Sequence, residues 1–316
     1  MKQHIHILVV ILILLGLSPA GAQTIKLRLG TTAATSTEKV AFALAKDAGI
    51  LKKHDLDLEV ILITSGGTLA MQALVGKSID ILTTGATPFL HGYLEGAEVK
   101  FIAGVNNKFI YSFMTRGSIT NGAQLKGKVV GITRFGSIDE LATKTALTQL
   151  GLNPRTDVKI IQVGGSASRL AALQSGSIEA TSLASGYSYV GQKLGLNVLI
   201  DFVEKDIEYM MTGVVARTEI LKARGDAVRR FLRAYLEGIR YYKSHREEAI
   251  KKTMEAIRTD DRGIAETDYT YRARALPDDG KPTVKGTQWA IDELAKENPK
   301  AKNLTPAQIF DLSYLP

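Results

Sequence analysis

Apolar positions along the chain fall into two rhythms, and the two alternate. Residues 25–29 alternate apolar and polar and predict a strand ending at Gly30-Thr31-Thr32. Val40, Ala41, Leu44, Ala45 and Ala48 then follow a helical spacing that Gly49 closes. A second strand at 58–63 runs into Ser65-Gly66-Gly67-Thr68, a short helix carries Leu69, Ala70, Ala73 and Leu74, and Ile79-Asp80-Ile81-Leu82 forms a third strand before Thr83-Thr84-Gly85. The sequence of elements is β-α-β-α-β, the layout of a mostly parallel sheet covered by helices, and so of an α/β fold.

Residues 127–190 repeat it. A strand at 128–133 leads through Phe135-Gly136-Ser137 into a helix bearing Ile138, Leu141, Ala142, Ala146 and Leu150, closed by Gly151. A strand at 158–163 meets Gly164-Gly165-Ser166, and Ser177-Ile178-Glu179 answers Ser78-Ile79-Asp80. The Gly-Gly pairs lie 98 positions apart and the Ser-Ile pairs 99 apart. Two similar α/β lobes account for this; a solenoid repeat has a period of only about 20–50 residues.

The remainder lacks the repeat. An apolar strand at 209–216 precedes the clearest helix of the chain, with Val228, Phe231, Leu232, Tyr235, Ile239 and Tyr242 on one stripe. Ile250, Met254 and Ile257 continue a similar stripe. Residues 258–282 are charged, with a turn at Pro277-Asp278-Asp279-Gly280, and Leu304-Thr305-Pro306-Ala307 opens a last helix. This third block is expected to pack onto one lobe.

In an open α/β sheet, ligands sit outside the carboxyl ends of the strands. Those ends carry Thr35-Ser36-Thr37, Ser65-Gly66-Gly67-Thr68, Thr84-Gly85-Ala86-Thr87, Arg134-Phe135-Gly136-Ser137, Gly164-Gly165-Ser166 and Ser185-Gly186-Tyr187. Glycines admit close approach of backbone N–H groups, helix starts add unpaired donors with partial positive charge, and hydroxyls add neutral donors. Any one such turn is an ordinary helix cap; six at equivalent places in two lobes point to a site for a small anion. Only Arg134 brings a full charge to them.

Enzyme signatures are missing. Gly76-Lys77-Ser78 imitates the end of a phosphate-binding loop, but position 71 is Met where that motif needs Gly, and it precedes a strand rather than a helix. There is no Gly-x-Ser-x-Gly elbow and no His-Glu-x-x-His. His54, His91 and His245 are scattered, and only His91 follows a cleft turn. Asp80 and Glu179 occupy matching places and are expected to cap strands rather than act as an acid and base. Trp289 is expected to pack against a helix.

Composition adds limits. With 316 residues, 45% apolar and 23% charged, the chain can bury a large core, and zero Cys excludes disulfides, a thiolate nucleophile and Cys-held metal. Lys2, the apolar run at 7–17 and Ala20-Gly21-Ala22 read as a cleaved export signal over 1–22, too short to span a bilayer. Forty Lys and Arg against 32 Asp and Glu leave +8 overall. That excess forms no basic stripe interleaved with aromatics, so nucleic acid is not an expected partner.

The order of the turn at 35–37, Ala48-Gly49-Ile50 and its charged sequel, Ser65-Gly66-Gly67, and Gly76-x-Ser-Ile-Asp-Ile resembles the extracytoplasmic solute-binding proteins of ABC importers for nitrate, sulfonates, taurine and thiamine-pyrimidine precursors. Gly127-Lys128-Val129-Val130-Gly131 and the closing Asp311-Leu312-Ser313-Tyr314-Leu315 strengthen the resemblance, which spans 25–316. It implies a type II periplasmic-binding-protein fold: lobe one at 24–112 plus 212–316, lobe two at 113–211, and crossover strands at 110–115 and 210–215. Ligand contacts carried over from the family fall on Ser36, Thr37, Ser65, Gly66, Gly67, Thr68, Thr84, Gly85 and Ala86 of lobe one. In lobe two they fall on Arg134, Gly136, Ser137, Gly165, Ser166 and Tyr187, with Arg134 a departure from more neutral relatives. The implied partners are a small solute and a membrane permease, with the protein a monomer that uses no cofactor or metal. An enzyme of the thiamine-pyrimidine-synthesis type on the same fold, against which the export signal argues, and a sensory module that presents ligand to a receptor remain alternatives.

Overall fold

The computed structural model describes residues 24–32, 37–64, 66–257 and 259–316. The expected export signal, Ser36 and Ser65 lie outside those residues, and Thr37 is described by its backbone alone. The first part of the chain lays down β1 (Ile25–Thr31), α1 (Thr37–Asp47), α2 (Ile50–Lys53), β2 (Leu56–Leu62), α3 (Gly67–Val75), β3 (Ile81–Thr84), α4 (Ala86–Leu94) and β4 (Val99–Lys108). The second part holds β5 (Tyr111–Thr115), β6 (Val129–Ile132), α5 (Ile138–Gln149), β7 (Lys159–Gln162), α6 (Ser166–Ser175), β8 (Ala180–Ala184), α7 (Ser185–Lys193) and β9 (Asn197–Asp201). After β10 (Glu208–Arg217) come the helices α8 (Thr218–Ala223), α9 (Gly225–Ser244), α10 (Arg246–Ile257), α11 (Arg262–Ala275), α12 (Val284–Ala295) and α13 (Pro306–Ile309).

Two five-stranded sheets result, ordered β2-β1-β3-β10-β4 and β7-β6-β8-β5-β9. In each, the first three strands are parallel and the fourth runs against its neighbours. That fourth strand is the one just arrived from the other sheet. The segments expected as crossovers are therefore these arriving strands, β5 and β10, and the links between the sheets are 109–110 and 202–207. β4 and β9 carry no clean alternation: β4 is buried at most of its positions, so its pattern is not that of a half-exposed strand.

The duplication holds at the level of contacts. Thr83 Oγ1 donates to the carbonyl of Gly30, and Thr181 Oγ1 donates to that of Gly131. A Cβ on Gly30 would stand 2.4 Å from Ile79 Cδ1, and one on Gly131 would stand 2.6 Å from Ile178 Cδ1. Asp80 accepts from the Arg28 backbone N–H at 2.9 Å, and Glu179 accepts from the Val129 N–H at 3.0 Å. Both carboxylates therefore serve a backbone N–H of the middle one of the three parallel strands, β1 or β6, a structural role of the kind the sequence pattern suggests.

The stripe on α9 is buried throughout, and Phe231 and Tyr235 lie 5.4 and 5.8 Å from Phe42 of α1 between ring centroids. Each such side chain contributes about 1.5–3 kcal/mol by leaving water. At the links between the sheets, Phe109 meets Tyr111, Phe202, Tyr209 and Trp289 edge-on, so Trp289 is a packing residue. The charged stretch at 258–282 contains a helix, α11, capped by Asp261 and packed against α10 and α7. It joins the late block to the second sheet.

Candidate functional site

Where the carboxyl ends of the two sheets face each other lies a cleft of about 390 Å³. From the first sheet it is lined by Thr32, Thr64, Gly66, Gly67, Thr84 and Gly85, and from the second by Thr133, Ser137, Gly165, Ser166 and Tyr187 among others. Helices α3, α4, α5 and α6 all start here, so unpaired N–H groups at several helix N-termini converge on one space. Gly67 is required: a Cβ there would stand 2.6 Å from Pro88 Cγ and 2.8 Å from Thr84 Oγ1. That Thr84 hydroxyl is buried and has no hydrogen-bond partner in the protein. A buried hydroxyl left so is costly, which is a reason to expect a ligand or water to complete it.

Two buried cations complete the lining. Arg169 of α6, 1% exposed, pairs through Nη1 with Asp139 of α5 and through Nη2 with Ser166 Oγ at 3.1 Å, leaving its Nε without a partner. Asp139 also accepts from the Thr133 backbone N–H at 2.7 Å. On α11, Arg272 Nε donates to Asp268 at 2.7 Å, and Asp268 accepts from Ser185 Oγ at 3.2 Å. Removing each charge from water is costly, and pairing within a helix turn or between adjacent helix starts offsets that cost. Burial pushes the Tyr111 and Tyr187 phenols above their ordinary range, with Asp139 adding to the effect at Tyr111 and Asp268 at Tyr187. Both stay neutral hydroxyls at physiological pH.

Of the residues expected at the site, Gly66, Gly67, Thr84, Gly85, Ser137, Gly165, Ser166 and Tyr187 line the cleft. Thr68 sits just beside it with a buried, unpartnered hydroxyl. Ala86 is fully buried as the first residue of α4. Gly136 faces outside the lining, toward His91 and Thr68. Arg134 is exposed and does not line the cleft. Its turn is held by its own side chains: Ser137 Oγ donates to the Arg134 carbonyl at 2.6 Å, and the Gly136 N–H donates to Glu140 at 2.5 Å. The Ser137 hydroxyl is thereby used up as a helix cap, and Arg134 is turned to solvent.

The four charged residues of the cleft are absent from the sequence expectations. Their signal was a charge inside an apolar stripe. Arg169 shares a helix face with Leu170 and Leu173, and Asp268 and Arg272 alternate with Ala265, Tyr269 and Ala275. Among the described residues, no group of three or more His, Asp or Glu stands where it could hold a metal, and no histidine lines the cleft. A larger groove of about 580 Å³ between α5 and α12 holds His91 and Trp289. Its charges answer one another, Lys144 meeting Glu140 at 2.8 Å and Glu297 at 3.1 Å, so it offers no comparable set of open donors.

A family model described as NMT1/THI5 like matches residues 36–249, more than half of the chain. Among solved structures, the chain is similar to the alkanesulfonate-binding protein SsuA of Xanthomonas axonopodis pv. citri bound to MOPS, at 18% identity and a TM-score of 0.76 over 92% of this chain and 99% of that one. The periplasmic aliphatic sulphonate binding protein SsuA of Escherichia coli is 20% identical with a TM-score of 0.71, over 90% and 97%. The periplasmic nitrate-binding protein NrtA of Synechocystis PCC 6803 is 16% identical with a TM-score of 0.63, over 74% and 66%. The fold is thus that of periplasmic binding proteins. No curated protein sequence matches the chain.

Proposed function

The chain belongs to the NMT1/THI5-like family, and from that premise we propose that it is the extracytoplasmic solute-binding component of an ABC importer. Its solute is a small anion of the sulfonate type, held between the lobes and released to a membrane permease. The observation that carries this reading is the meeting, in one cleft, of an unpartnered Thr84 hydroxyl from one lobe and an unpartnered Arg169 Nε from the other. A tetrahedral anion satisfies both at once, together with the N–H groups at the surrounding helix starts. The similar structures of known ligand class, an alkanesulfonate-binding protein bound to MOPS and a nitrate-binding protein, also take oxyanions.

The mechanism is binding without chemistry. The lobes are the two α/β units, divided and hinged at the links 109–110 and 202–207, a few residues before the expected bounds at 112/113 and 211/212. A ligand that touches both binds the closed state better and shifts the equilibrium toward it. Export by a cleaved leader at 1–22 brings the protein to the compartment where this is useful; among the described residues no helix is long and apolar enough to cross a membrane. The residues committed to ligand are Thr84, Arg169, Ser166, Tyr187 and the backbone at Gly66, Gly67, Gly85 and Gly165.

Isothermal titration calorimetry against alkanesulfonates, taurine, nitrate and thiamine-pyrimidine precursors tests the proposal. Saturable one-to-one binding of a sulfonate, abolished in Arg169→Met, is the expected result. No heat from any member of the panel overturns it.

A further inference from the structure

The charged residues that line the cleft, among the described residues, are Asp139, Arg169, Asp268 and Arg272. All four are buried, at 3%, 1%, 3% and 6% exposure, and they form two opposite-sign pairs. The cleft therefore receives its ligand with donors in place and no net charge. Resting on the proposed anion site, we infer that Asp139 and Asp268 set its charge selectivity: it accepts singly charged sulfonates and rejects the doubly charged sulfate of nearly the same shape.

The argument is electrostatic. In a poorly solvated space, attraction between charges is stronger than in water, and so is the cost of charge left without a counterpart. A monoanion entering this cleft draws on the guanidinium N–H groups, the Thr84 hydroxyl and the helix N-termini, which together supply partial positive charge. A dianion meets the same donors but, because solvation energy rises with the square of the charge, about four times the desolvation loss, with two fixed carboxylates close by and no unneutralised cation. The two Asp residues are not equivalent. Asp139 stands in the first turn of α5, where the helix N-terminus and the Thr133 N–H stabilise it as an anion. Asp268 lies within α11, held through Arg272 and the Ser185 hydroxyl. Asp268→Asn keeps the oxygen that accepts from Ser185 while removing the charge, so it is the cleaner test.

Methanesulfonate and sulfate are both tetrahedral, of nearly the same size, and differ by one charge. Calorimetry at neutral pH is expected to find methanesulfonate bound at least about tenfold more tightly than sulfate by the wild-type protein. In Asp268→Asn the sulfate affinity rises by about tenfold, and the preference shrinks accordingly. The double variant Asp268→Asn/Arg272→Gln, neutral again, regains the preference. Asp139→Asn moves the ratio the same way and serves if the first variant fails to fold, as judged by its thermal transition. Wild-type protein that takes sulfate and methanesulfonate equally, or an unchanged ratio in folded Asp268→Asn and Asp139→Asn, overturns the inference while leaving the anion site standing. If the wild type binds neither anion nor any sulfonate, the anion site itself falls and this inference with it.

Discussion

The two lobes share a frame and differ in what they bring to the cleft. Each has the same strand order, the same threonine-to-glycine hydrogen bond, and a carboxylate accepting from an N–H of its middle parallel strand. Yet among the described residues the cleft wall of the first lobe's strand-to-helix turns is neutral, built of Thr, Gly and backbone, while the second lobe presents Arg169 and Asp139. Counting back from the shared Ala-Leu pairs, Ala73-Leu74 and Ala172-Leu173, Arg169 falls where α3 has Ala70. Both positions are buried, at 0% and 1% exposure. A duplicated frame thus constrains packing positions tightly, and one difference on an equivalent buried face is enough to bring a guanidinium into one wall. The second cation comes from outside the repeat altogether, on α11.

Substitutions at equivalent places in the two lobes test that contrast. The largest effect is expected at Arg169, which has no charged equivalent in lobe one. Arg169→Ala leaves Asp139 buried without its partner and lowers stability by about 3–5 kcal/mol in urea unfolding. Restoring most of it with Arg169→Met/Asp139→Asn identifies the stranded charge as the cause. Next come the shared core positions: Leu74→Ala and Leu173→Ala, both fully buried, each cost about 2–5 kcal/mol. Losses that agree between the lobes support an equivalent frame, and a tolerant member of the pair breaks the comparison.

The strand caps come third. Asp80→Asn and Glu179→Gln each weaken a hydrogen bond to a strand N–H, at about 1 kcal/mol, and the Asp80 contribution depends on pH. Burial alone would raise the Asp80 carboxyl, but hydrogen bonds from the Arg28 side chain and backbone outweigh it and hold it below the ordinary aspartate range. Its contribution is therefore complete above the ordinary aspartate range and is lost as pH falls through the lowered value. Unfolding midpoints followed from pH 5 down to pH 2 should lose that component in Asp80→Asn and keep it in Glu179→Gln. The smallest effect belongs to Arg134. Turned to solvent at the cleft's rim, its replacement by Ala should change sulfonate affinity by no more than about threefold in calorimetry. A loss of a hundredfold would put Arg134 inside the site.

Much of the frame was legible from spacing. Helix periods, the Gly-Gly turns and the Ser-Ile-acid strings located most of β1 to β3 and β6 to β8 with α1, α3, α5 and α6, even where a strand is buried throughout, as β3 is. β4 and β9 escaped, the first because strands buried on both faces lose alternation and the second because it is five residues long. The glycine and hydroxyl half of the candidate site was legible as well, since helix starts require such residues locally. At Arg134 a charge in a turn is visible in the sequence while its direction is not. That direction was decided by Ser137 and Glu140 closing the turn on themselves.

From its residues alone the chain dictates two α/β units and the donors at their strand ends, for these depend on neighbours a few positions away. Which distant residues meet is another matter. Arg169 and Asp139 are thirty positions apart, and Asp268 reaches Ser185 across eighty-three, so only the folding of α11 against α7 brings those charges to the cleft. Local periodicity records that a position is buried; it takes the assembled tertiary structure to say beside what.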